Sequence, residues 1–245
     1  MRIIPTWGNR PCARAMLTYS STQEAPVRPK RLRFSLLSAR EIAAMSVCHV
    51  TTTTLYYRSL PATGGLLDPL MGSIDRRHLC ATCMNDTRTC QGHSGHMTLN
   101  FPVYHISFLD TVHKLLKMVC FCCARACVTD EERRELNDGT SGRTRFTAMH
   151  NLLKGRRVCP HCNMTQPVVV RGSLGLSLTW PPNMAWESEE EHAFCTRTFT
   201  ARDALSILTN IPAEDVVLFG FDPGASHPMH MIMQNLVVPP PCTRP

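Results

Sequence analysis

The feature of this sequence that most constrains its fold is a series of four ligand pairs. In each, two residues separate two cysteines, or a cysteine and a histidine. The first two pairs lie close together, as CATC at 80–83 and CQGH at 90–93. A two-residue spacer lets both side chains of a pair turn onto one ion, and zinc takes four such ligands at tetrahedral corners. The first predicted zinc site therefore consists of Cys80, Cys83, Cys90 and His93.

Two further histidines are rival nitrogen ligands for this site. His78 precedes the first pair and His96 follows the second. Only His93 keeps the two-residue spacer from Cys90, so we predict that His93 is the ligand. His96 is then an orienting or surface histidine.

The other two pairs are far apart in the sequence, as CFCC at 120–123 and CPHC at 159–162. The insertion between them is longer than is usual in a zinc ribbon, but the free-energy cost of closing a loop grows only logarithmically with its length. A structural zinc ion contributes on the order of 10–16 kcal/mol, which is enough to hold such an insertion. The second predicted zinc site consists of Cys120, Cys123, Cys159 and Cys162.

The sequence has 13 cysteines, so six remain outside these two sites. A pairing of Cys123 with Cys127 is an alternative register that the spacing alone leaves open. We interpret the remaining six as buried or surface thiols: Cys12, Cys48, Cys122, Cys127, Cys195 and Cys242.

Neither predicted site has the features of a catalytic centre. A catalytic zinc keeps one coordination position open for water, whereas each site here already has four ligands. The sequence also has no glycine-rich phosphate loop, GxSxG motif or HExxH motif. Residues 1–10 contain no apolar run, and no stretch is long enough to span a bilayer, so we expect a protein inside the cell with no membrane partner.

Charge suggests an anionic partner, because the formal net charge is +7. Between Gly139 and Arg171 there is no Asp or Glu, although several cations are present. A surface of one sign is suited to contacts with phosphates, although a solvated basic face without a ligand is the alternative. Aromatic residues are few, so base stacking is not expected. The predicted nucleic-acid-binding residues are Arg143, Arg145, Lys154, Arg156 and Arg157.

The pattern of apolar and turn-forming residues predicts an α+β fold with small mixed sheets and helices organised around the two zinc sites. Helices are expected at 38–45, 103–119 and 146–154, and from a capping box at 200–203 through 208. A strand is expected at 51–57, and a hairpin turned by Gly172 or Gly175 at 168–180. The proline-rich tail from Val237 is expected to be extended.

Several segments resemble the N-terminal clamp segment of the largest subunit of eukaryotic-type DNA-directed RNA polymerases. They are LLSAREIAAMSV at 36–47, GGLLDP at 64–69, GSIDR at 72–76, GHSGH at 92–96, FPVYH at 101–105, TQP at 165–167 and the end from HPM at 227–229 to LVVPPP at 236–241. They occur in the family's order together with both sets of zinc ligands. Polymerase II is the most similar class, and polymerase III is the alternative.

The resemblance implies a mobile clamp that closes over template DNA and the RNA–DNA hybrid during transcription. Nucleotidyl transfer would be carried out by the whole polymerase with magnesium. That magnesium is held in the family by three aspartates of an Asn-Ala-Asp-Phe-Asp-Gly-Asp motif, which does not occur in this sequence. The segment alone is therefore not expected to be catalytic.

The resemblance also implies an organisation and a set of partners. The resemblance implies a zinc-binding clamp core and head at 34–225 and an extended proline-rich segment at 226–245 leading toward a dock region. A flexible leader at 1–33 is expected instead from its prolines and its lack of apolar periodicity, and it has no counterpart in the family. The expected partners are the second-largest subunit, the rest of the largest subunit and other polymerase subunits. The expected location is the nucleus, or the cytoplasm if the gene is viral.

Two questions stay open at this point. The chain could be a fragment, a truncated product or one part of a divided subunit. The alternative from another functional class is a free-standing zinc module that binds nucleic acid or a protein.

Overall fold

The computed structural model describes residues 35–73, 75, 78–139, 142–180, 196–224 and 226–244. The predicted leader at 1–33, Cys12 and Cys195 lie outside these residues. The chain forms two compact units. The first contains Arg40–Thr98 and Asn235–Pro245, and the second contains Ser35–Ala39 and Leu99–Gln234. The organisation expected from the sequence, at 1–33, 34–225 and 226–245, stays a prediction.

Helices are short throughout the described residues, and most belong to the second unit. None of them combines the length and the apolar character that crossing a membrane requires. The α-helices are α1 (Ala39–Met45), α2 (Leu109–Leu116), α3 (Asp130–Gly139), α4 (Gly142–Leu152), α5 (Ala201–Thr209) and α6 (Ala213–Leu218). Turns of 3-10 helix lie at Pro69–Met71, Ile106–Phe108, Pro228–Met231 and Pro241–Thr243.

The strands form three small sheets in the described part of the chain, with two, two and three strands. Strand β1 pairs with β2, β3 with β7, and β5 lies between β4 and β6. The strands are β1 (Tyr56–Tyr57), β2 (Leu60–Pro61), β3 (Gly95–Tyr104), β4 (Val168–Arg171), β5 (Leu176–Thr179), β6 (Thr196–Phe199) and β7 (Ile232–Val238). The predicted combination of helices and small sheets is confirmed.

The three-stranded sheet shows why its register is fixed. Val169 lies opposite Leu178, and Leu176 lies opposite Phe199, and all four side chains are buried. Because side chains alternate between the faces of a strand, a slip of one residue would turn these apolar groups to solvent. The predicted hairpin at 168–180 is confirmed, and β6 adds a third strand that the sequence did not indicate.

The predicted helix at 103–119 is wrong at its beginning. Residues 103–104 belong to β3, and a 3-10 turn follows in which the His105 side chain accepts a hydrogen bond from the Ser107 N–H. Helix α2 begins only at Leu109. Ile106, which the helical pattern assigned to the apolar face, is 71% exposed. Pairing of β3 with β7 therefore overrides the apolar periodicity at this end.

The predicted strand at 51–57 is also mostly wrong, because only Tyr56–Tyr57 is a strand. The backbone N–H groups of Thr51 and Thr52 both donate to the carbonyl oxygen of Gly64, which leaves these residues in a loop. The strand preference of the four threonines is overridden by this contact.

Other elements differ from prediction at their ends or were not predicted. The predicted helix at 146–154 begins earlier, as α4. Helices α3 and α6 were not predicted. The proline-rich tail is extended in β7, which ends at Val238, and again at Pro240. Pro241–Thr243 then forms a turn, and the Arg244 guanidinium donates back to Pro239 O and Leu66 O.

A buried carboxylate joins separate elements of the second unit. Asp215, at 1% exposure in α6, accepts a hydrogen bond of 2.8 Å from the backbone N–H of Ala126. It also forms an ion pair with Arg133 of α3. A buried carboxylate is stable only when it is paired and hydrogen-bonded, and both conditions are met here.

We expect Asp215→Ala to lower the free energy of unfolding by about 3 kcal/mol, because it leaves the Arg133 guanidinium and the Ala126 N–H without their acceptor. Chemical denaturation measured by circular dichroism checks this value. Glu214→Ala, at the exposed neighbouring position of α6, is the matched control and should change stability by less than about 0.5 kcal/mol. Equal losses in both variants would contradict the anchoring role.

Candidate metal centres

The first unit brings together the four side chains of the first predicted site. The ligand atoms of Cys80, Cys83, Cys90 and His93 all lie within 4.8 Å of one another. The Sγ atoms of Cys83 and Cys90 are 3.5 Å apart, and Cys90 Sγ lies 3.7 Å from His93 Nε2. His93 thus presents its Nε2 atom to the centre of the cluster.

The second unit does the same for the second predicted site. The Sγ atoms of Cys120, Cys123, Cys159 and Cys162 also lie within 4.8 Å of one another. Cys120 and Cys162 are separated by 3.5 Å, and Cys123 and Cys159 by 3.8 Å, between their sulfur atoms. Ligands from the two ends of the long insertion therefore meet.

These distances fit a tetrahedral zinc ion. Zinc–sulfur bonds of about 2.3 Å and zinc–nitrogen bonds of about 2.0–2.1 Å give tetrahedron edges of about 3.8 Å between sulfurs and about 3.6 Å between sulfur and nitrogen. The measured separations of 3.5–3.8 Å between sulfurs, and of 3.7 Å between sulfur and nitrogen, agree with these edges. Each cluster has the donor set that zinc requires, and two of its ligand separations match the expected edges; binding of the ion stays a prediction.

Three of the four ligand pairs share one backbone turn, which we call the knuckle. In each, the residue after the second cysteine donates its N–H to the carbonyl of the first cysteine, at 2.8–3.0 Å. That residue has a positive φ, which lets the chain reverse without closing the space at the ion. The residues are Met84 (58°), Ala124 (55°) and Asn163 (55°).

Two further sets of backbone N–H groups shape each knuckle: one closes the turn, and the other points at the sulfur of the first cysteine. The N–H groups of Cys80, Cys120 and Cys159 donate to carbonyls five residues further on. The N–H two residues after the first cysteine points at its sulfur in two knuckles, from Thr82 at 3.4 Å and from Cys122 at 3.3 Å. Such donors stabilise a thiolate, which is the form that binds metal.

The fourth pair, at 90–93, needs glycine for reasons of space and backbone conformation. Gly92 has φ of 81°, and its N–H points at Cys90 Sγ at 3.4 Å. A Cβ atom at this position would lie 2.6 Å from both Pro240 Cβ and Cys242 Sγ. A side chain here would displace the terminal segment that packs against the first cluster.

A buried carboxylate that the sequence analysis did not single out supports the first cluster. Asp68 is 3% exposed and accepts hydrogen bonds from Gly64 N at 2.6 Å, Leu70 N at 2.8 Å and the Cys48 thiol at 3.3 Å. It caps the turn at Pro69–Met71, and two carbonyls of this turn accept hydrogen bonds from the segments that carry the ligands. The Leu70 carbonyl accepts from Thr82 Oγ1, and the Met71 carbonyl accepts from His93 N.

The signal for Asp68 was present in the sequence. It precedes Pro69, and an aspartate directly before a proline is typical of a helix N-cap followed by Pro at the first helical position. The Asp68-Pro69 pair therefore predicts a capped turn here, in addition to carrying the family resemblance.

A buried glutamine supports the second cluster. The side-chain amide of Gln166 donates to Cys120 Sγ at 3.2 Å and to Met164 O at 2.9 Å, and its Oε1 accepts from Phe121 N at 2.8 Å. Both polar atoms of this side chain are therefore hydrogen-bonded. They join the knuckle at 120–124 to the segment that follows the knuckle at 159–163. Neutral donors to sulfur also reduce the repulsion between thiolates.

The thiols differ in how readily they ionise. The hydrogen bond with His93 lowers the pKa of Cys83 to about 6, whereas burial raises the pKa of Cys90 to about 11. In the second cluster, the Met164 N–H lowers the pKa of Cys162 to about 7, and burial raises the pKa of Cys123 to about 12. Hydrogen bonds therefore favour ionisation of one sulfur in each cluster, and burial opposes ionisation of another. A divalent ion is what would allow all sulfurs of a cluster to ionise together.

The rival ligands of the sequence analysis do not join the clusters. His96 stacks on His49 with ring centroids 4.7 Å apart and contacts Ser46, and His78 lies 3.6 Å from Asp75. Cys127 is buried beside Cys159, and burial raises the pKa of its thiol. The second cluster contains Cys123 with Cys120 and does not include Cys127. Cys122 is exposed.

The five predicted nucleic-acid-binding residues have different surroundings. Arg156 forms a two-point ion pair with Glu132, at 2.9 and 2.5 Å, and donates to Cys127 O at 2.8 Å. This pair lowers the pKa of Glu132 to about 2, chiefly through its hydrogen bonds. Arg145 contacts Asn137 Oδ1 and Val217 O at 3.3 and 3.5 Å. The remaining three, Arg143, Lys154 and Arg157, have exposed side chains.

Nucleic-acid binding by these residues stays a prediction, but the structure distinguishes the exposed residues from those whose side chains make hydrogen bonds within the unit. The Arg156 side chain is used inside the second unit, where it joins Glu132 of α3 to the carbonyl of Cys127. Sequence reasoning could not have assigned this role, since its partner Glu132 lies outside the acid-free stretch.

Comparison with known proteins identifies relatives of the chain. Residues 28–245 match the family described as RNA polymerase Rpb1, domain 1. The chain is 31% identical over 229 residues to DNA-directed RNA polymerase II subunit RPB1 of Euplotoides octocarinatus, covering 88% of this chain and 47% of the relative. It is 31% identical over 234 residues to DNA-directed RNA polymerase subunit Rpo1N of Methanocaldococcus jannaschii, covering 91% of this chain and 16% of that relative. The chain thus spans about half and about a sixth of their lengths.

We expect the purified protein to contain two zinc ions per chain. Cys80→Ser and Cys159→Ser should each leave one ion, because each variant removes a ligand from one cluster. Elemental analysis by mass spectrometry measures the stoichiometry. Cys122→Ser is the matched control in the same sequence segment and should retain both ions. A loss of zinc in the control, or one ion or none in the native protein, would contradict the assignment.

We expect Met84→Gly to stabilise the first knuckle by about 0.5–1 kcal/mol. A residue with a side chain is disfavoured at φ of 58°, and the Met84 side chain is 70% exposed, so little packing is lost. Met84→Ile, which is β-branched, should destabilise by about 1 kcal/mol. Zinc affinity measured against a competing chelator reports the change. Asn163→Gly is the control with the smaller effect, because asparagine tolerates this conformation.

Proposed function

The chain belongs to the RNA polymerase Rpb1 domain 1 family, and from this membership we propose that it is the clamp portion of the largest subunit of a DNA-directed RNA polymerase. The observation that carries the proposal is the match over residues 28–245, which contains both four-ligand clusters. The proposed role is to hold template DNA and the RNA–DNA hybrid during transcription.

The two clusters are proposed to hold structural zinc. Each supplies four protein ligands whose donor atoms lie within 4.8 Å of one another, so a four-coordinate zinc ion would have no position left for a reacting water. A bound zinc ion would supply folding free energy by joining distant segments, and its ligands would be deprotonated in the process. The residues that hold it are Cys80, Cys83, Cys90 and His93 in one unit, and Cys120, Cys123, Cys159 and Cys162 in the other.

Catalysis is proposed for the polymerase as a whole. Template-directed nucleotidyl transfer with magnesium would take place outside this chain, which contains no Asn-Ala-Asp-Phe-Asp-Gly-Asp motif. The proposed partners are DNA, the RNA–DNA hybrid, the second-largest subunit and the rest of the largest subunit. Nuclear location follows from the same proposal for a cell with a nucleus.

The nucleic-acid contact is proposed for the exposed cations of the acid-free stretch. Arg143, Lys154 and Arg157 are exposed on the second unit, whereas Arg156 and Arg145 make hydrogen bonds within it. Contacts from long flexible cations to phosphates position a protein on nucleic acid without reading its sequence. The proposed clamp therefore binds unrelated sequences alike.

The test uses a reconstituted polymerase that contains this chain. Replacing Arg143, Lys154 and Arg157 with Ser should weaken binding of unrelated duplexes about equally. The dependence of log affinity on log salt concentration should fall by up to about 2.7, since each phosphate contact contributes about 0.9. Fluorescence anisotropy at several salt concentrations measures both quantities.

The matched control replaces three exposed cations elsewhere, Arg40, Arg88 and Arg134, with the same change in net charge. It should leave the salt dependence nearly unchanged. Equal effects of both triple variants would mean that net charge alone acts, and no effect of either would leave the basic stretch as a solvated face. Failure of the chain to assemble with the second-largest subunit would favour a free-standing zinc module.

A further inference from the structure

A pocket of about 220 Å³ lies in the second unit, beside the second cluster. Its floor is apolar, with Leu116, Leu153 and Val169, and its rim carries Lys117, Lys154 and Arg157. Among the described residues, no Asp or Glu lines it. An apolar floor with a rim of one charge sign fits an anionic group and disfavours a cation.

The rim cations are available to a ligand. Within the described ranges, Lys117, Lys154 and Arg157 make no ion pair, and all three are exposed. Arg156 also lines the pocket, but its guanidinium is neutralised by Glu132, so the net positive charge comes from the other three.

A histidine in the pocket reports the positive field. His150 is half-buried at the C-terminal end of α4, and burial lowers the pKa of its ring. The neighbouring cations Lys114, Lys117 and Lys154 lower this pKa further. An uncompensated cluster of cations that disfavours a fourth positive charge should favour a bound anion by the same interaction.

The wall of the pocket is held by the second cluster. Gln166 lines the pocket while its side chain is fixed by Cys120 Sγ and Phe121 N. Its backbone N–H donates to the Arg157 carbonyl at 2.6 Å, which fixes the main chain at one rim cation. The pocket is therefore preorganised, and an anion entering it would not have to order the backbone at this point.

We propose that this pocket binds a phosphate group, with Lys117, Lys154 and Arg157 as its cationic contacts. In the assembled polymerase the phosphate belongs to a nucleic-acid backbone, and this part rests on the proposed function. A free phosphate ion has the same chemistry and is the other source. No Phe, Tyr or Trp lines the pocket within the described residues, and its volume is below the roughly 300–1,000 Å³ of sites for larger ligands, so a stacked base is not expected.

The test follows the His150 ring by nuclear magnetic resonance in the full zinc-loaded chain, with assignment from His150→Gln. Titration with inorganic phosphate should raise the pKa of His150 by about one unit, because an anion placed near the ring favours its protonated form. Lys154→Gln and Arg157→Gln should each weaken phosphate binding about tenfold. Arg134→Gln, an exposed α3 residue outside the pocket lining, has the same charge change and should bind phosphate as the native chain does.

A thymidine 12-mer distinguishes the two sources. A shift of the His150 pKa with both probes supports a backbone phosphate, and a shift with inorganic phosphate alone supports a free ion. No shift with either probe, or an equal loss of phosphate affinity in Arg134→Gln, would overturn the proposal. The clamp role would fail if the triple Ser variant left the salt dependence of the polymerase unchanged. A phosphate-induced shift of the His150 pKa would then still support the pocket, so the two proposals can fail separately.

Discussion

The convergence of four sulfur or nitrogen atoms on one point is the constraint on which each unit depends. In the second unit, the knuckle at 120–124 and the segment directly after it present polar backbone groups to the rest of the fold. Phe121 N–H donates to Gln166, and Ala126 N–H donates to Asp215. Both donors are placed by the turn that this knuckle makes, in which Ala124 N–H donates to Cys120 O. The ligand cluster thus fixes the positions of helices whose own apolar faces are short.

The residues that meet at the clusters could be predicted because their signal is local. A spacer of two residues and a turn that returns on itself are properties of a few consecutive residues, and the knuckles at Met84, Ala124 and Asn163 show this in their shared φ values. The same holds for the capping box of α5, where Thr200 and Asp203 bond each other's backbone as expected. The hairpin at Gly172 and Gly175 is another local signal.

What the sequence could not provide depends on partners that are distant along the chain. From its sequence context, Arg156 is a candidate phosphate contact, but in the fold its guanidinium is paired with Glu132. Asp215 lies in a helix with no strong periodicity, and its role is defined by Ala126 and Arg133. The apolar spacing that predicted a helix from residue 103 is real, but at Tyr104 it is outcompeted by backbone pairing with a strand more than a hundred residues away.

The first unit is built from chain segments that are separated by the second unit, and this has a consequence for synthesis on the ribosome. Its segments Arg40–Thr98 and Asn235–Pro245 are made before and after the whole of Leu99–Gln234. Because domains fold as their residues emerge, the inserted unit can fold while the first still lacks strand β7's last residues and the proline turn that packs against Gly92. The first unit can therefore be completed only after the second has been synthesised.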